Sequence, residues 1–321
     1  MKIFLILFCP VSYFLNAQDN ILQRDTSFTV YSAFEKESKK YPFIKIVKPE
    51  LPQGVVAEWN VVYKSYKERQ LHLDIFRPEN RNKYPAVLLI HGGGWSSGNK
   101  SHLVPLAQKL ASHGYVTASA EYRLSPEAKY PAAIYDIKSA VRWLRANAGN
   151  YNIDTNKIAI LGCSAGGHLA ALVGTTNGLF EFEGKAGNID HSSYVQAIVD
   201  IDGVLDFTDP NESGKDNDPL KPSAGKKWLG YAYKDNPEIW IEASPLTYVG
   251  KDTPPIGFIN SSLERFHAGR DEMIEILKKY KIYYEVHTIP DTPHPFWLFH
   301  PWFDQTFELV LSFLDKSLKE K

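Results

Sequence analysis

Ser164 sits in Gly162-Cys163-Ser164-Ala165-Gly166, the Gly-x-Ser-x-Gly spacing of a nucleophile elbow. Ile158-Ala159-Ile160-Leu161 before it reads as a buried strand, and Gly167-His168-Leu169-Ala170-Ala171-Leu172-Val173 after it as a tightly packed helix. A sharp turn between strand and helix strains the serine backbone and lifts its hydroxyl clear of the sheet. A second glycine run, His91-Gly92-Gly93-Gly94-Trp95, follows the apolar stretch Ala86-Val87-Leu88-Leu89-Ile90. Gly-x-Ser-x-Gly alone arises by chance in roughly one such sequence in ten, so it is weak by itself. Both runs after strands, in this order, point to acyl transfer more than to two plain glycine turns.

A serine hydroxyl is a poor nucleophile at neutral pH and needs a base within hydrogen-bond reach. His294, in Pro290-Asp291-Thr292-Pro293-His294-Pro295-Phe296-Trp297, follows a strand predicted at 283–289 and is the best-placed base. His287 lies inside that strand and His300 beyond the turn. Asp291 reads as turn chemistry.

These residues must be held by a scaffold. Segments 59–66 and 71–76 alternate as two antiparallel strands around Lys67-Glu68-Arg69-Gln70. Strands are then predicted at 86–90, 115–120, 158–162, 195–201, 255–260 and 283–289. Helices are predicted near 102–113, 132–147, 165–174, 270–280 and 303–318. Strands separated by helices imply an α/β fold with a mainly parallel sheet covered on both faces. His91 and Ser164 both fall at carboxyl ends of strands, where such sheets place their sites. Residues 56–321 are read as one catalytic domain, 18–55 as an N-terminal arm, and 203–248, with Trp228 and Trp240, as a lid-like insertion. Asp209, Asn211, Ser213, Gly214 and Asp216 superficially resemble a calcium loop, but Leu220 stands where the bidentate glutamate belongs. No metal or other cofactor is therefore expected.

His91 to Trp95, Glu121-Tyr122-Arg123-Leu124-Ser125-Pro126-Glu127 and Gly162 to Gly167 together resemble the hormone-sensitive-lipase-like branch of the α/β-hydrolases, including its carbohydrate esterases, over roughly residues 59 to 318. The resemblance implies that Gly93, Gly94 and Ala165 donate the oxyanion-hole amides. Glycine suits this task because it lets the backbone approach the substrate and aim N–H groups at the developing charge. The third triad member departs from the pattern, since the family's aspartate-proline turn after the penultimate strand is missing. Counting back 30 residues from His294 gives Glu264, just beyond strand 255–260, as the expected acid. Asp271 is its rival, although at the start of a helix it could equally serve the helix dipole.

The motifs fix the chemistry and leave the ester open. Trp297 and Trp302, in the aromatic and proline-rich segment after His294, are candidate platforms for sugar rings, as is Trp95, although some must be core. Arg265, His267 and Arg270 could bind a uronate carboxylate or be solvated helix-start charge. A carbohydrate acetylesterase is the first reading and a pectin methylesterase the second. A peptidase or aryl-formamidase would share the triad. A hydrolase fold reduced to a binding module would be expected to have lost Ser164, His294 or the glycines.

Met1-Lys2, the apolar run Ile3 to Phe8 and the small Ala17 read as a secretory signal peptide over 1–17. The protein is thus expected to be secreted or periplasmic, with no stable membrane insertion once the leader is removed. Cleavage would leave Cys163 as the single cysteine, so no intramolecular disulfide could form. With 36 basic and 37 acidic residues, the charge gives no reason to expect a nucleic-acid partner. An esterified carbohydrate is the expected partner.

Overall fold

A computed structural model describes residues 25–67, 69–214 and 221–320. The first 24 residues, and with them the proposed leader, lie outside the described residues, as does Asp216 of the calcium-like loop.

The chain opens with α1 (Val30–Glu37) and the short β1 (Lys45–Ile46), then forms β2 (Val55–Ser65), β3 (Gln70–Pro78) and β4 (Tyr84–Ile90). It continues through α2 (Val104–Ser112), β5 (Val116–Ala120), α3 (Ala132–Ala146), α4 (Ala148–Tyr151), β6 (Ile153–Cys163) and α5 (Ala165–Thr175). After β7 (Ala197–Ile201) come three short helices, α6 (Pro210–Ser213), α7 (Ala224–Leu229) and α8 (Pro237–Glu242). The last elements are β8 (Ile256–Ser261), α9 (Arg270–Tyr280), β9 (Tyr284–Ile289), β10 (Phe299–His300) and α10 (Trp302–Leu318). Every predicted strand and helix is present, with ends displaced by a few residues.

Eight strands make one sheet in the order β2-β3-β5-β4-β6-β7-β8-β9. β2 pairs antiparallel with β3, and β3 with β5; from β5 to β9 every pairing is parallel. The side chains of β4 explain the two-sided cover. Successive residues of a strand face opposite ways. Leu88 and Ile90 join one core with α3, α5 and α9, while Val87 and Leu89 join another with α2 and α10. Central strands buried on both faces read as unbroken apolar runs, which is why this part of the sequence was transparent. This is the α/β-hydrolase fold.

The arm is tied to the domain. Thr29 and Ser32 form a reciprocal capping box that starts α1. β1 pairs antiparallel with β10, just ahead of α10. Tyr41 and Phe43 of the arm pack edge-on against Trp302, at 5.4 and 5.8 Å between ring centroids. In the 203–248 segment Trp228 and Trp240 are buried, so this stretch is anchored to the core by its two largest side chains.

Candidate active site

Ser164 occupies a one-residue corner between β6 and α5 with φ 57° and ψ −124°, a conformation rare for a non-glycine residue. The residues two positions before and after it must be glycines for steric reasons. A Cβ on Gly162 would stand 1.9 Å from the Gly166 carbonyl oxygen, and one on Gly166 would stand 2.0 Å from that of Ile90. The Ser164 N–H donates to the Ile201 carbonyl at 2.7 Å, tying the corner to the end of β7.

The Ser164 hydroxyl donates to His294 Nε2 at 2.7 Å, and His294 Nδ1–H donates to Asp202 Oδ2 at 2.9 Å. Asp202 is fully buried, directly after β7, and its other oxygen accepts from the Ser261 N–H at 2.7 Å. Ser261 ends β8, so two adjacent strand ends hold the carboxylate between them. The turn before His294 is shaped by Asp291, at φ 54°.

The acid expected from the sequence is corrected here. Glu264 is exposed in a short 3₁₀ turn, and the His294 nitrogens are bonded to Asp202 and Ser164 instead. Asp271 has a 73% exposed side chain paired with Arg270, whose hydrogen bond holds its carboxyl below the ordinary range. Neither serves the imidazole because the loop after β8 presents Phe266 to it, while the carboxylate bonded to Nδ1 comes from the end of β7.

Gly93, Gly94 and Ala165 line the same cavity as the Ser164 hydroxyl. Gly93 and Gly94 take φ values of 125° and 58°, and a Cβ on Gly93 would strike the Ser97 carbonyl oxygen at 2.3 Å. The Ser97 N–H and hydroxyl both donate to the Gly93 carbonyl at 3.0 Å, which fixes the loop. Ala165 is the first residue of α5, where an N–H has no partner within the helix. Amides at such positions can receive negative charge on a substrate oxygen.

The cavity is about 310 Å³ and mainly apolar, walled by Phe28, Trp95, Val204, Ala224, Phe266 and Trp297. Trp95 stacks on Trp228 at 5.3 Å and donates from Nε1 to His168 Nδ1 at 3.1 Å. That bond requires the proton of neutral His168 on Nε2, which donates to the Ala243 carbonyl at 2.8 Å. Burial pushes His168 down to about 4, in keeping with a neutral ring. Burial likewise pushes the Cys163 thiol far above its usual range, so it cannot compete with the serine beside it.

The other expected contacts divide. Trp297 lines the cavity, its ring perpendicular to that of His294 at 5.3 Å. Arg265 also lines it, but its guanidinium is engaged by Glu212, with Nη2 to Oε2 at 3.1 Å. Three residues are corrected as substrate contacts, since none of them lines the cavity. His267 donates from Nε2 to the Ser261 carbonyl at 2.8 Å, and Arg270 to Asn260 Oδ1 at 3.1 Å. Trp302 is buried beneath the arm.

Sequence reasoning missed Asp202, Phe266 and Phe28. The signal for Asp202 was present: an aspartate between the apolar strand Ala197–Ile201 and Gly203, the same strand-end position as His91 and Ser164. Phe266 stacks face to face on His294, and Phe28 reaches the cavity from the arm. Nothing local in the sequence announces either.

The sheet topology, the strained serine corner and the hydrogen-bonded Ser-His-Asp line define an α/β-hydrolase with a serine nucleophile site. Residues 73–279 match the BD-FAE family model, and the chain belongs to that family. It is similar to the probable carboxylic ester hydrolase LipM of Mycobacterium tuberculosis, 32% identical over 72% of this chain and 55% of the relative. Esterase LipC of the same organism is 33% identical over 59% of this chain and 47% of its own length. The chain thus spans about half the length of these relatives. Among solved structures, a truncated carbohydrate esterase from gut microbiota superposes with a TM-score of 0.67 at 25% identity, covering 85% of this chain and 99% of that one. Butyrate-bound esterase Est2 of Thermogutta terrifontis also gives 0.67, at 26% identity over 88% and 99%.

Proposed function

We propose that the protein is a secreted serine carboxylesterase that removes short acyl groups, acetyl above all, from carbohydrates. The observation that carries this reading is the continuous hydrogen-bonded line from Ser164 through His294 to buried Asp202, opening into a cavity of about 310 Å³. His294 takes the Ser164 proton as Oγ attacks the ester carbonyl, and Asp202 stabilises the imidazolium that forms. The amides of Gly93, Gly94 and Ala165 receive the oxyanion. The alcohol departs with the proton from His294, leaving an acyl group on Ser164. Water, activated by the same imidazole, then releases the acid.

The cavity is at the small end of ligand sites, which suits a short acyl group. The carbohydrate part draws support from similarity to the gut-microbial carbohydrate esterase and to a bifunctional GH43-CE protein of Bacteroides eggerthii. Acetyl esters are favoured over methyl uronates because Arg265 is already engaged by Glu212, and His267 and Arg270 by Ser261 and Asn260. Secretion rests on the leader-like residues 1–17.

Purified protein incubated with acetylated xylan, methyl-esterified pectin and p-nitrophenyl acetate tests the reading. Acetate release is expected, together with phosphonate labelling that disappears in Ser164→Ala. Methanol release from pectin without acetate release would replace the acetyl reading with the methyl-ester one.

A further inference from the structure

The loop between β8 and α9, where the acid was expected, delivers an aromatic face to the site. Phe266 lies parallel to the His294 imidazole, with ring centroids 3.7 Å apart and planes within 6°. Phe266 is fixed through its backbone, its N–H donating to the Leu263 carbonyl at 2.9 Å and its carbonyl accepting from Asn260 Nδ2 at 3.2 Å. The Arg265 guanidinium, held by Glu212, lies 5.2 Å from the Phe266 ring centroid.

We infer that Phe266 is a positioning residue for His294, its ring face holding the imidazole in line between Asp202 and Ser164. The two hydrogen bonds of His294 fix the ring at Nδ1 and Nε2 but resist rocking about the axis joining those atoms only weakly. A ring stacked on one face opposes that rocking directly. The same face favours the imidazolium that forms when Ser164 loses its proton, because the aromatic quadrupole attracts a cation. In this chain the β8–α9 loop therefore orients the histidine through a ring, while the carboxylate comes from β7.

The inference rests on the proposed esterase reading, and its test separates the two. Phe266→Leu, Phe266→Met and Phe266→Tyr are compared with the wild type on p-nitrophenyl acetate and butyrate. The downfield Nδ1 proton of His294 is followed by NMR in parallel. Loss of the ring in the Leu and Met variants should lower kcat by roughly tenfold on both esters, with KM within about twofold. It should also broaden the Nδ1 signal, and Phe266→Tyr should restore both properties. Unchanged kcat in a folded Leu or Met variant would overturn the inference. So would a loss appearing only as KM and differing between acetate and butyrate, since that marks a simple pocket wall. If Phe266→Leu fails to fold, Phe266→Met, which keeps the bulk without the ring, decides. Should the wild type hydrolyse neither ester, the esterase reading falls and the His294 proton signal alone decides the role of Phe266.

Discussion

Asp202 has a left-handed backbone, φ 53°, and this turns its carboxylate from the end of β7 towards His294. One oxygen serves the imidazole and the other the Ser261 amide, so the group has little freedom to face elsewhere. Asp202→Asn should preserve the shape of the site but favour the wrong imidazole tautomer. Turnover is expected to fall by about 10⁴-fold, with KM much less affected. Glu264→Gln and Asp271→Asn should stay within a few-fold of wild type on p-nitrophenyl acetate. A large loss in either, with Asp202→Asn active, would reverse the assignment. Ser164, His294 and the glycines were legible because each lies in a local pattern that only a few tasks explain. The acid was not, because counting back from the histidine assumes which strand carries it. The carboxylate and the imidazole are neighbours in space and 92 residues apart in sequence.

At the scale of elements, the sequence disclosed every strand of the main sheet: the central strands because burial on two faces demands apolar runs, and β2 and β3 through their alternation. It did not disclose how the arm and the 203–248 segment pack. Their contacts depend on single aromatics, such as Trp228 against Trp95 and Trp302 beneath Tyr41 and Phe43. The meeting of β4, β6 and α5 allows a sharp test of close approach. A methyl group at Gly166 would stand 2.0 Å from the Ile90 carbonyl oxygen and 2.7 Å from that of His91, backbone atoms with no flexible tip to yield. Gly166→Ala should therefore lower unfolding free energy by at least ~3 kcal/mol, at the upper end of overpacking costs, and displace the serine corner. Gly149→Ala, in α4 with no heavy atom within 4 Å of the new methyl, should be neutral or stabilising by up to ~1 kcal/mol. Urea titration of both variants gives the comparison, and equal midpoints would contradict the steric argument.

At the scale of the whole molecule, the titration of buried Asp200 and His168 should be visible in stability between pH 4 and 7. Asp200, two residues before the triad carboxylate, is pushed up to about 7, chiefly by burial and further by the charge of Asp202. The Gly203 N–H and Arg270 pull the other way, and Asp200 Oδ2 has no hydrogen-bond partner among the described residues. Between pH 4 and 7 the unfolded chain ionises this carboxyl while the folded protein keeps it protonated. The folded state then binds more protons, so stability falls as pH rises through that window and levels off above it. The full effect is on the order of 4 kcal/mol, from about three pH units at 1.36 kcal/mol each. His168, pushed down to about 4 by burial, acts with the opposite sign, contributing stability that is lost as pH falls from 6.5 towards 4. The two trends oppose each other in the wild type, so its pH profile alone hides both. Asp200→Asn keeps an acceptor for the Gly203 N–H, removes the titration and leaves His168 in place. Between pH 5 and pH 8 the wild type should lose roughly 3 kcal/mol relative to this variant in urea unfolding. Parallel pH profiles would mean that Asp200 ionises as readily in the folded protein as in the open chain, and that burial beside Asp202 does not hold it neutral.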